Sequence, residues 1–207
     1  MRLTTSILQS LGCFGKTTTK SEHELSNEMK KQSATSAETS KHIPIDQELT
    51  EQCIDSTSDD DLLQLIFDHL SKKLSVDYRN EYETVMSWNS SIQAIYMIWA
   101  LEAEVNKDGY SQFYFNSSGP FYTHLPEALR RVGATQFADL TERANKVFEI
   151  EKTTILQDDF INGCSESDKD DPLDPFDTEF YALYQSENLE QIQVEYIRNH
   201  KKEFIDS

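Results

Sequence analysis

Turn-forming residues are scarce in this chain. Six glycines and five prolines serve 207 residues, and no stretch alternates apolar and polar positions as a strand-rich fold would. A helical domain is therefore favoured. Cysteine is scarce too. Cys13, Cys53 and Cys164 stand far apart with no C-x-x-C pair, and any disulfide would leave one thiol over. That pattern suits a reducing compartment, and the chain is read as cytoplasmic. No apolar run approaches the length of a membrane span. Positive charge is the third shortage: 19 Lys and Arg face 37 Asp and Glu, a formal charge of −18. Such a field repels nucleic acid and anionic membrane surfaces and attracts basic partners. Direct nucleic-acid binding and membrane association are therefore not expected.

The charge is uneven. Residues 1–57 hold eight acids and six bases, and residues 58–207 hold 29 acids and 13 bases. The first segment is rich in Ser, Thr, Lys, Glu and Gln without a sustained apolar period, and reads as a disordered tail. Leu11-Gly12-Cys13 after Arg2 echoes a lipoprotein export signal, the minor alternative for localisation. Polar Thr4, Thr5, Ser6, Gln9 and Ser10 interrupt its apolar region. Gly15-Lys16-Thr17 echoes a phosphate loop, but Ser10 stands where that motif needs glycine.

From Ser58 onward the 37% hydrophobic content of the chain suffices for one domain with a real core. The expectation is all-α: a single compact domain of about six to eight helices over residues 58–207. Ser58 followed by Asp59, Asp60 and Asp61 makes a helix start. Leu62, Leu63, Ile66, Phe67, Leu70 and Leu74 make its stripe. Tyr78 to Met86 reads as a short helix or turn. Pro126 opens a helix that Gly133 ends, and Phe137, Leu140, Ala144, Val147 and Phe148 form the buried face of the next. Phe176 to Gln185 and Leu189 to Phe204 read as a closing helical hairpin.

The centre is Trp88 to Gly119, with both tryptophans and the densest aromatic cluster. Ile92, Ile95, Tyr96, Met97, Ile98, Trp99, Leu101 and Val105 surround much of a helix, so it packs on more than one side. Asn106, Lys107, Asp108 and Gly109 stop it, with Gly109 suited to a left-handed C′ position. Phe113 and its aromatic neighbours then restart the pattern. Glu104-Val105-Asn106, Gly109-Tyr110, Gln112-Phe113, Phe115-Asn116 and Ser118-Gly119 resemble the signature of the DMP-type DNA-mimic family, an all-helical bacterial group. The likeness continues through Leu125 to Leu129, Val132 to Ala134 and Tyr196 to His200. It implies a structural turn built on Glu104, Asn106, Gly109, Gln112, Phe113 and Asn116, a homodimer, and a protein whose carboxylates stand in for DNA phosphates. Where the family usually shows Asn-Gly-Gly, this chain has Lys107-Asp108-Gly109.

Residues 158–179 carry nine acids against Lys169 alone: Asp158, Asp159, Glu166, Asp168, Asp170, Asp171, Asp174, Asp177 and Glu179. A calcium loop needs glycine at its sixth position, and Leu173 stands there when counting from Asp168. These acids are instead the candidate partner-binding surface, with Asp59, Asp60 and Asp61 as a second patch. Catalytic signatures are missing: Glu102 and Glu104 point to different helix faces, and no H-x-x-x-H, E-x-x-H or G-x-S-x-G occurs. The reading is thus a non-enzymatic acidic binding protein without cofactor or metal. It would occlude the basic surface of a DNA-binding protein such as a transcription regulator. The alternatives are an immunity-type protein neutralising a cationic toxin, or an enzyme or ligand-binding domain using the polar turn 104–116.

Overall fold

The computed structural model describes residues 48–74, 80–162 and 171–205, with backbone alone for 153–162. Among them are eight α-helices and no strand: α1 Glu51–Ser56, α2 Asp59–Ser71, α3 Glu81–Met86, α4 Ser90–Phe115, α5 Leu125–Val132, α6 Thr135–Asn162, α7 Asp174–Leu183 and α8 Leu189–Asn199. Short 3₁₀ turns follow α4 and α8, at Gly119–Thr123 and Lys201–Glu203.

Local chemistry sets the ends of these helices. The Asn89 carboxamide accepts from the backbone N–H of Ser91 and Ile92, both at 3.0 Å, and so starts α4. Asn188 does the same for α8 through Gln191 N–H. Pro126 and Pro175 lie in the first turns of α5 and α7, where a missing N–H costs nothing. Gly133, at φ 98° and ψ 4°, closes α5 in the left-handed region. The Ala134 N–H reaches back to the Leu129 carbonyl, the long bond of a Schellman cap.

Packing then follows from the faces. Tyr96, Met97, Ile98, Leu101, Val105, Tyr110 and Phe113 are buried on α4, which is enclosed on most sides as its sequence predicts. Helix α5 and the first 3₁₀ turn lie along α4, and α6 packs beside α5. Aromatic rings fill the joints. Phe67 of α2 stacks on Trp99, and Phe180 of α7 meets both Tyr110 and Phe137 edge to face.

Three expectations change. Residues 48–57, expected in the tail, belong to the same compact unit as the helices that follow, because α1 is tied to the other end of the chain. Arg198 donates to the carbonyls of Ile54 and Thr57 and to the Asp59 carboxylate, Lys201 pairs with Asp55 at 2.6 Å, and the Ile54 side chain is fully buried. A six-residue helix has little stability of its own, and distant partners supply it. The tail reading for residues 1–47 lies outside the described residues. Second, α7 and α8 are not a packed hairpin. α7 lies on α4 and α6, whereas α8 lies on α2 and α5. Third, Gly109 does not occupy a left-handed helix cap. Its φ of 82° and ψ of −177° interrupt α4, and helix resumes directly after it.

Candidate functional site

The break in α4 draws the two candidate regions together. At φ 82° and ψ −177° the backbone enters a region open to glycine alone. The Tyr110 N–H, freed from the helical ladder, is taken by Asp177 Oδ1 of α7 at 2.8 Å. The Asp177 carboxylate lies directly over the Gly109 Cα, where no Cβ fits. One residue further on, the Ser111 hydroxyl donates to Asp171 Oδ2 at 2.5 Å, and Asp171 Oδ1 accepts the Leu173 N–H ahead of α7. The Tyr181 hydroxyl donates to the Val105 carbonyl on the other side of the break. The first two turns of α7 thus serve as an external cap for a helix interrupted mid-course.

The result is a knot of negative charge. Burial pushes the Asp177 carboxyl up to about 6, against the pull of the Tyr110 N–H, and Asp171, Asp174 and Asp108 add to the rise. All four carboxylates are therefore within electrostatic reach of one site. Asp108 and Asp174 are exposed, and Asp171 and Asp177 are half-buried. Glu179 differs, since Arg143 of α6 pairs with it and locally neutralises it. Asp158 and Asp159 fall on the last turns of α6, and Glu166, Asp168 and Asp170 lie outside the described residues. Of the second patch, Asp59 is held by Arg198 and Asp61 accepts from the Ser58 hydroxyl, while Asp60 is exposed.

The polar turn is internally engaged. Asn116 donates from Nδ2 to Glu104 Oε2 at 2.5 Å, and its N–H bonds the Gln112 carbonyl. Glu104 is only 3% exposed, and burial pushes its carboxyl up against the pull of Asn116 and Lys107. Phe113 is fully buried, whereas Asn106 is exposed on the solvent side of the break. Glu102 faces elsewhere, as its spacing from Glu104 requires. It accepts from the Tyr184 hydroxyl and from Gln193 Nε2, joining α4 to the end of α7 and to α8. Burial raises its carboxyl to about 7, although both hydrogen bonds favour the ionised form. His124 shares a 3.1 Å hydrogen bond with the Tyr82 hydroxyl. No group of three His, Cys, Asp or Glu among the described residues is placed to hold a metal. No described helix is long and apolar enough to cross a membrane.

The family model of DMP19-like protein matches residues 86–200. The chain belongs to the DMP19-like family. The matched span runs from the last residue of α3 to the cap of α8, so it contains the broken helix and the α7 segment that caps it. Helices α1 and α2 precede the span, and both are tied to this DMP19-like region through α8. No curated protein and no solved structure matches the chain.

Arg143, Ser111 and Tyr181 complete this site, and sequence reasoning missed all three. Each acts across at least 36 residues of chain, and none belongs to a motif.

Proposed function

We propose that this DMP19-like protein is a non-enzymatic acidic binding protein that occludes the basic surface of a DNA-binding partner. The observation that carries the reading is the convergence of Asp108, Asp171, Asp174 and Asp177 on a backbone break held by hydrogen bonds. Holding like charges together costs stability, and rigid elements keep them from spreading apart in solution. Successive helical acids three residues apart, such as Asp174 and Asp177, rise about 4.5 Å along the axis. Phosphates on one strand of a duplex rise about 3.4 Å. Of the acids in the knot Asp108 and Asp174 are exposed, so lysines and arginines that grip a DNA backbone can reach them. A partner drawn by this field associates quickly and in a salt-sensitive way.

The test is capture of proteins from the source cell at low salt, elution by a salt gradient, and competition with duplex DNA. The reading expects a DNA-binding protein that elutes at moderate salt and is displaced by DNA. Asp108→Asn with Asp174→Asn should shift its elution to lower salt, since both side chains are exposed. Retention of no basic protein, or elution indifferent to DNA and to both substitutions, overturns it.

A further inference from the structure

A cleft of about 680 Å³ opens between α5 and α8, and it shares no residue with the acidic knot. Its character follows from its lining. Val132, Ile192 and Tyr196 supply apolar surface. Glu127 and Glu195 supply two exposed carboxylates, against the single guanidinium of Arg131. The backbone adds to the acidity. Helix α5 ends at Val132 and α8 at Asn199, so the C-terminal ends of two helices meet here and present partial negative charge.

One further feature selects the shape of a ligand. The His200 ring stacks on Tyr196, with centroids 4.1 Å apart and planes 23° from parallel. His200 Nδ1 lies 2.8 Å from the Tyr196 carbonyl, so in the neutral ring it carries the proton, and Nε2 remains an acceptor. The cleft therefore combines a flat aromatic pair, an aliphatic wall and a majority of acceptors.

We propose that this cleft receives an arginine side chain of a partner protein. The stem lies against Val132 and Ile192, the guanidinium lies on the Tyr196–His200 pair, and Glu127 and Glu195 accept its hydrogen bonds. A planar guanidinium suits an aromatic face better than the compact, strongly hydrated ammonium of lysine. A buried arginine in a concave site is a common binding anchor. The assignment rests on the reading of a basic partner and gives that partner a specific handle, beyond the long-range pull of the acidic knot.

The test needs no partner. The full chain is titrated with N-acetyl-arginine amide and followed by NMR. Saturable shifts are expected at Val132, Ile192, Tyr196 and His200, with a dissociation constant of about 1 to 10 mM for one side chain. The uncharged N-acetyl-norleucine amide should leave these signals in place. Glu127→Gln with Glu195→Gln should weaken binding about fivefold, the sum of two exposed charge pairs. Absence of saturation, or equal response to the norleucine compound, overturns the assignment. So do shifts caused by N-acetyl-glutamate instead, which would give the cleft to Arg131. A cell extract that yields no basic partner would defeat the occlusion reading, while this titration is read on its own.

Discussion

Gly109→Ala tests the account of the broken helix most directly. Two separate costs follow from the geometry. At φ 82° and ψ −177° an alanine is strained whatever space surrounds it, at about 1 to 3 kcal/mol. Its Cβ would also lie 2.8 Å from Asp177 Cγ and overlap the carboxylate, so Asp177 must leave Tyr110 N–H. A hydrogen bond to a charged group contributes about 1.5 to 3 kcal/mol. The sum is about 2.5 to 6 kcal/mol, or a melting temperature lowered by about 5 to 24 °C for a unit of this size. Chemical denaturation of the wild type, Gly109→Ala, Asp177→Ala and the double variant measures both parts. With Asp177 already shortened, the glycine substitution should cost only its backbone strain. A loss under about 1 kcal/mol for Gly109→Ala, or the same cost in both backgrounds, would refute the reasoning.

Three other outcomes follow from single groups. Burial raises the Glu102 carboxyl from 4.5 to about 7, so the folded state binds this proton more tightly than the unfolded chain. Its contribution to stability is complete below pH 4.5 and is lost as pH rises through 7; Glu102→Gln should flatten the fall in melting temperature over that window. Arg198→Ala should release α1, seen as lost hydrogen-exchange protection across residues 51–57 while α4 stays protected, because Arg198 bonds Ile54, Thr57 and Asp59. Asn116→Ala leaves the buried Glu104 without its donor and should cost about 1 to 3 kcal/mol, read by denaturation. Partner capture should be unchanged in that variant, and its loss without destabilisation would favour a pocket-based function of the turn.

The acidic stretch shows how far residue patterns reach. In the sequence its nine acids look equivalent. In the folded chain Asp171 and Asp177 turn inward to Ser111 and Tyr110, Glu179 is paired with Arg143, and Asp174 is exposed. The partners lie 36 to 67 residues away, so no local pattern carries the difference. Asp108, read in the sequence as part of a helix stop, joins the knot for the same reason.

Short-range rules determined the all-helical class, the enclosed faces of α4, and the ends marked by Pro126 and Gly133, because periodicity and capping depend on neighbours within a few residues. The resemblance carried by Glu104 to Gly119 pointed to the family for a similar reason, since its residues form one local turn. Tertiary structure decided the rest. It ordered α1, which its own six residues do not stabilise, through Arg198 and Lys201. It also set the form of the break at Gly109. Glycine permits both a left-handed cap and the extended conformation found here, and the choice follows from a carboxylate that α7 brings across the fold to receive the Tyr110 N–H.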